Sequence, residues 1–226
     1  IQDFGRIGYR SIGVPLSGAL DTNLLSAANA LVNNPLDSAG FEIRWSGPTI
    51  KAVNKPIRIA LAGDIGAWLT DPQGIRTLVD AFQSVLVLPG QSLVIDSVKS
   101  GVAYAAVSGG ILVPKQLKSR SSYPKAKIGG YHGLALSSGD ILLCQEAAAE
   151  IPTELKATKK WPNEDGDIRV ILGPQEDHFA PDSLNQFFSQ PWTISRQTDR
   201  MGMRLEGSPL AHNELGADIV SDGVTP

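Results

Sequence analysis

From Gly40 to Glu146 the sequence is a succession of short apolar runs separated by turn residues, and this pattern constrains the fold more than any other feature of the chain. The runs are Phe41–Trp45, Ile57–Ala62, Ala67–Thr70, Val85–Leu88, Leu93–Ile95, Val102–Val107 and Ile141–Cys144. Between them stand Ser46-Gly47-Pro48, Asp71-Pro72-Gln73-Gly74, Pro89-Gly90 and Ser138-Gly139-Asp140. Regularly spaced strands with such turns predict an antiparallel barrel or sandwich, not alternating β and α units. The fold class is therefore mainly β.

Around this block the chemistry of the chain changes. Residues 1–18 hold Gly5, Gly8, Gly13, Gly18 and Pro15 among polar groups, which predicts a shaped loop. Asp21 then stands as an N-cap before Leu24, Leu25, Ala27, Ala28, Leu31 and Val32 at helical spacing, and Asn33-Asn34-Pro35 ends the helix. Residues 146–167 carry nine charges in twenty-two positions, against 19% for the whole chain, and read as a surface crossing. Beyond it, Ile168–Leu172 is expected as a strand and Asp182 as the cap of a short helix reaching Phe188. The organisation expected is a first domain over 1–148, a linker over 149–166 and a second domain over 167–226.

Composition excludes several functions. Lys and Arg total 20 against 23 Asp and Glu, with no basic stripe for a phosphate backbone, so no nucleic acid partner is expected. The most hydrophobic stretch is broken by Pro89, Asp96 and Lys99, short of the roughly 18 apolar residues of a spanning helix. With the single cysteine Cys144 and no Asn-x-Ser/Thr sequon, a reducing compartment fits best and the cytoplasm is expected. The chain opens at Ile1 without Met and closes at Pro226 just after the strand-like Ala217–Val220, so it is expected to be an excerpt.

No single catalytic motif is complete. His132, His178 and His212 sit in unrelated segments without a second ligand at metal spacing, so no metal site is expected. Ser122-Tyr-Pro-Lys125 has the spacing of a Ser-x-x-Lys pair, but Pro124 opposes the helix that would bring the two side chains together. Gly129-Gly130-Tyr-His-Gly133 lacks a phosphate-loop Lys and opens no helix. Cys144, in an apolar run, reads as an inert buried thiol.

What remains is a dispersed polar set. Gln2, Asp3, Arg6 and Arg10 precede Ser17-Gly18; Arg6 can bind an anion or pair with Asp3 to stabilise the loop. Glu42 and Arg44 share one face of a strand by period two, as a solvated pair or as part of a site. Asn29 either satisfies nearby backbone or faces a cleft. Ser108-Gly109-Gly110 and Ser119-Arg120-Ser121-Ser122 permit close backbone approach beside a charge, or form a plain connection. Asp199, Arg200, Arg204 and Glu206 could clamp a small anion or cross-link the two domains.

Taken in order, these segments resemble one family. Gln2-Asp-Phe-Gly-Arg6-x-Gly-Tyr, Gly13-Val-Pro-x-Ser17-Gly-Ala-x-Asp21, Ala28-Asn29-x-Leu-Val-x-Asn34-Pro, Phe41-Glu42, Ser108-Gly109-Gly110, Ser119-Arg120-Ser121, Ser138-Gly139-Asp140 and Asp199-Arg200-Met-Gly202-x-Arg204-Leu-x-Gly207 are similar to the carboxyltransferase-like family also called allophanate hydrolase subunit 2. The resemblance implies two cyclophilin-like β-barrels, the second incomplete here. It implies one component of an ATP-dependent 5-oxoprolinase hydrolysing 5-oxo-L-proline to L-glutamate, active with a partner of the B-subunit family and a third oxoprolinase subunit. The alternatives are a biotin-dependent carboxyltransferase acting on urea or a similar amide, its biotin carried on another chain because no Met-Lys-Met motif occurs here, or a regulatory binding subunit. A lactam is a poor electrophile until ATP turns its oxygen into a phosphate leaving group, so a site must hold carboxylate, amide and phosphates together. The resemblance thus assigns Asp21 and Glu42 as candidate acid or base, and Gln2, Arg6, Ser17, Asn29, Ser108, Gly109, Arg120, Asp199, Arg200 and Arg204 as substrate-binding. It also leads one to expect an Arg where Leu134 stands.

Overall fold

The computed structural model describes residues 1–145, 154–158, 167–195, 197, 202–216 and 218. The chain forms two compact units, Ile1–Trp161 and Pro162–Pro226. The first holds α1 (Thr22–Ala30) and strands β1 (Phe41–Ile43), β2 (Thr49–Lys51), β3 (Ile57–Asp64), β4 (Gly66–Thr70), β5 (Arg76–Asp80), β6 (Ser84–Val87), β7 (Ser92–Ile95) and β8 (Ser100–Val107). They make two four-stranded sheets, β1-β8-β3-β6 and β2-β7-β4-β5, antiparallel throughout. Strands consecutive in sequence occupy equivalent positions in the two sheets: β1 and β2 at one edge, β5 and β6 at the other, β3 with β4 and β7 with β8 inside. The mainly β architecture expected from the turn spacing is what forms.

The alternation along the two long central strands explains the layering. Ile59 and Leu61 of β3, with Ala103, Ala105 and Val107 of β8, face Ala67, Val79, Leu93 and Ile95 of the second sheet across one core. On the opposite face, Ala60, Ala62, Val102, Tyr104 and Ala106 pack against Leu24, Leu25, Ala28, Leu31 and Val32 at the helix. Both faces of β3 and β8 are thus buried, which is why these strands read as continuous apolar runs. Alanine on the helix side lets α1 lie close, and each leucine buried there contributes about 1.5–3 kcal/mol. The β3–β8 register shifts between Ala62 and Asp64. Gly63 sits in that bulge at φ +121, where a Cβ would strike Ala103, and the chain then turns from the first sheet into β4 of the second.

Two short edge strands, Thr49–Lys51 and Arg76–Asp80, form just after the expected turns, outside the runs that the sequence marked as strands. Ile141–Cys144 builds no strand, only the isolated bridge between Ile111 and Cys144. Leu155 and Ala157, in the charged crossing, donate and accept along Phe82–Ser84 of the first unit.

In the second unit, α2 (Pro181–Ser189) has Pro181 in its first turn and Ala180 as N-cap, so Asp182 lies in the first turn and does not cap. Ser183, buried, donates to the Ala211 carbonyl (2.8 Å), and Phe179 bridges His212. Strands β9 (Thr193–Ile194) and β10 (Leu205–Glu206) pair antiparallel. Ile168–Leu172 forms no strand, because none among the described residues of the unit lies beside it. Ala217 and Ile219–Val220 lie outside the described residues.

Candidate functional site

Most candidate residues of the first unit fall into three hydrogen-bonded groups, two of which include residues of the glycine-rich first segment or its end. The innermost is organised by Asp3. Its Oδ1 accepts from the hydroxyls of Ser119 and Ser121 (both 2.6 Å) and from the Gly5 N–H (2.8 Å), and its Oδ2 accepts from the Arg120 N–H (2.6 Å). Asp3 N–H donates in turn to Ser121 Oγ (2.9 Å), and Ser122 N–H to the Ile1 carbonyl (2.9 Å). Gln2 donates through Nε2 to the Ser122 carbonyl (3.2 Å), while its Oε1 is buried without a partner among the described residues. Burial pushes the Asp3 carboxyl up, but the Ser119 and Ser121 hydroxyls and the Arg120 and Gly5 N–H groups outweigh it and hold it below the ordinary aspartate range.

Arg6 lies in the same layer and is 1% exposed. Its Nη2 donates to the Ser121 carbonyl, and its Nε and Nη1 are buried without acceptors among the described residues. Burial lowers the guanidinium pKa, and the Asp3 charge partly restores it. Asp3 and Arg6 therefore brace one loop through Ser121, with the carboxylate oxygens already held by other donors. Arg6 presents almost no surface to solvent in this conformation. Arg120, half-buried, donates through Nε to the Val113 carbonyl (3.0 Å).

The second group joins the two candidate carboxylates. Asp21 Oδ1 caps α1 by accepting from the Leu24 N–H (2.9 Å), the role its sequence position suggested. Glu42 and Tyr104 are direct cross-strand partners. Tyr104 Oη accepts from the Asp21 N–H (3.0 Å) and donates to Glu42 Oε2 (2.7 Å), which also accepts from the Leu20 N–H (2.9 Å). Burial, then the neighbouring Glu42 charge, push the Tyr104 phenol far above its usual value. Tyr104→Phe is expected to cost about 1–3 kcal/mol in urea unfolding, because it strips a half-buried N–H and a carboxylate of their shared partner.

The third group is backbone satisfaction. Asn29, fully buried, donates to the carbonyls of Leu36 (3.3 Å) and Ser38 (2.8 Å) and accepts from Asn34 Nδ2 (3.1 Å). Asn34 donates to the Val107 carbonyl (2.8 Å) and accepts from the Gly109 N–H (2.9 Å). The helix exit is thereby tied to the end of β8, where Ser108 lies buried. Ser17 sits in the first loop at φ 53, half-buried. Arg204 belongs to the second unit, exposed, with Nη1 donating to Gln197 Oε1 (2.5 Å). Asp199 and Arg200 lie outside the described residues.

Sequence reasoning set Gly129–Gly133 aside as an incomplete phosphate loop, yet an open feature lies there beside the Asp3 layer. A cleft of about 420 Å³ is walled by Val113, Gln116, Lys127, Gly129, Tyr131 and His132, among others. Its inner wall is fixed by Gly130 N–H donating to the Arg120 carbonyl (2.8 Å) and Gly129 N–H donating to Gln116 Oε1 (2.8 Å). Leu134, just beyond this loop, is exposed. Among the described residues no group of His, Cys, Asp and Glu is placed to hold a metal ion, and no helix is long and apolar enough to cross a membrane.

Comparison with known proteins places this arrangement. The sequence profile described as carboxyltransferase domain, subdomain A and B, matches residues 12–226. The chain is 32% identical over 232 residues to the C subunit of 5-oxoprolinase from Escherichia coli, a match covering 100% of this chain and 71% of that protein. It is 34% identical over 224 residues to urea amidolyase of Saccharomyces cerevisiae, covering 92% of this chain but only 12% of that protein. The solved urea carboxylase of Kluyveromyces lactis superimposes with a TM-score of 0.79 at 30% identity, over 93% of this chain and 20% of the other. With a profile match that includes the Asn29, Glu42, Ser108 and Arg120 segments, the chain belongs to the carboxyltransferase domain family, subdomains A and B.

Proposed function

We propose that the chain serves as part of one component of an ATP-dependent 5-oxoprolinase, hydrolysing 5-oxo-L-proline to L-glutamate together with partner subunits. The observation that carries this reading is the match to the C subunit of the Escherichia coli 5-oxoprolinase, along the whole chain and 71% of that protein. Asp21, which caps α1, and Glu42, held by Tyr104 and the Leu20 N–H, are the candidates for handling the lactam N–H. Arg120 in the first unit and Arg200 and Arg204 in the second are candidate counter-charges for a carboxylate or phosphate. Asp3 and Arg6 hold the first loop in shape. The expected result is ATP hydrolysis by the reconstituted complex that rises when 5-oxoproline is added and is absent for each component alone. Equal rates with and without 5-oxoproline would sink the assignment.

A second reading is carboxyl transfer to urea from biotin carried on another chain. It is favoured by the 34% identity to urea amidolyase and the TM-score of 0.79 to urea carboxylase. Its signature is urea-dependent loss of carboxyl groups from carboxybiotin, without any response to 5-oxoproline.

A further inference from the structure

We infer that the cleft beside Gly129–Gly133 is a binding site for a small oxyanion, a carboxylate or a phosphate, held by backbone N–H groups and by Lys127 and His132. Lys127, Gly129, Gly130, His132 and Gly133 all lie in the left-handed region, with φ of 54, 68, 55, 56 and 71. Lys127 ends the short 3-10 turn Pro124–Ala126. His132 holds this conformation without glycine's freedom, which requires the surroundings to impose it. They do: Gly133 N–H donates to the Gly129 carbonyl (2.8 Å) and Leu134 N–H to the Tyr131 carbonyl (3.2 Å).

The consequence is a small concavity whose donors are not consumed. The His132 N–H finds no acceptor among the described residues, and the Tyr131 N–H none beyond the loose bridge of Tyr131 with Leu134, although both residues wall the cleft. Successive backbone donors of this kind form an anion nest. Lys127 adds a positive charge and His132 a ring nitrogen. Lys127 and His132 line the cleft, exposed, and no Asp or Glu does. Behind the inner wall, a Cβ at Gly129 would land on the Arg6 guanidinium, so a buried positive charge backs the loop. Gln116, its Oε1 committed to the Gly129 N–H, also lines the cleft.

This inference rests on the cleft alone and not on the oxoprolinase reading. Either can fail while the other stands. The test is titration of the full chain with inorganic phosphate and, separately, acetate at constant ionic strength, followed by amide 1H–15N correlation spectra with chloride as control. The expected result is saturable shifts of the Tyr131 and His132 amides, with affinity weakened about tenfold in Lys127→Gln. The same charge change at an exposed strand residue, Lys51→Gln, leaves affinity unchanged. Saturation by phosphate alone assigns the site to a phosphate-bearing ligand, and by acetate alone to a carboxylate. Shifts that grow linearly with every salt, chloride included, or a Lys127→Gln chain that binds as tightly as the unaltered one, overturn the inference.

Discussion

Asp3→Ala is expected to destabilise the first unit by about 3–5 kcal/mol, a large fraction of the stability of an ordinary domain. The carboxylate is 8% exposed and its removal leaves two serine hydroxyls and two backbone N–H groups without their acceptor. It also leaves the buried Arg6 charge without its nearest compensation. Asp3→Asn separates charge from shape. Because folding depresses the Asp3 pKa, its contribution is fully present above the unfolded value of about 3.9 and is lost as pH falls through the folded value. Urea midpoints for the unaltered chain should therefore drop over that acid range more steeply than those for Asp3→Asn. Parallel acid profiles would show that folding does not lower the Asp3 pKa.

The second large effect is expected at Gly129. At φ +68, a Cβ there would meet both the Ser121 carbonyl and the Arg6 guanidinium, so Gly129→Ala combines backbone strain with an overlap that a braced loop cannot relieve. The expected loss is about 2–5 kcal/mol. Gly74→Ala provides the comparison: φ is +85 but nothing lies within 4 Å of the added Cβ, so only the left-handed conformation is penalised, by about 1–2 kcal/mol. Equal losses at the two positions would mean that the Ser121–Arg6 layer yields freely.

How far the sequence could be read depends on the range of the interactions involved. Helix α1 was legible because Asp21 and the Leu and Ala spacing act within one turn, and the inner strands because burial on both faces writes continuous apolar runs. β2 and β5 were not, since edge strands present few buried side chains; in β5 only Val79 is buried. Ile141–Cys144 and Ile168–Leu172 show the converse: apolar composition calls for cover, but a strand also needs a neighbour offering free backbone groups. In the site, the resemblance of ordered motifs pointed to the segments that meet, Gln2 to Arg6 and Ser119 to Ser121. It could not show that Arg6 is enclosed, because its cover comes from residues more than a hundred positions away. The Tyr104–Glu42 contact had a local trace only once the β1–β8 register was known. Lys127 and His132 carried no signal, since their role follows from backbone conformation and not from residue type.

The central structural claim is that the first residues of the chain and the segment 119–130 form a single braced layer, organised by Asp3, that walls the cleft. Native-state amide hydrogen exchange measures this directly. The N–H groups of Asp3, Arg120, Ser122 and Gly130, each donating within the layer, should exchange with one common opening free energy. In Asp3→Asn all of them should fall together while the β3–β8 amides keep their protection. If the Asp3 and Ser122 amides open independently of Arg120 and Gly130, with separate free energies that Asp3→Asn leaves apart, the layer is not one unit and the account is wrong.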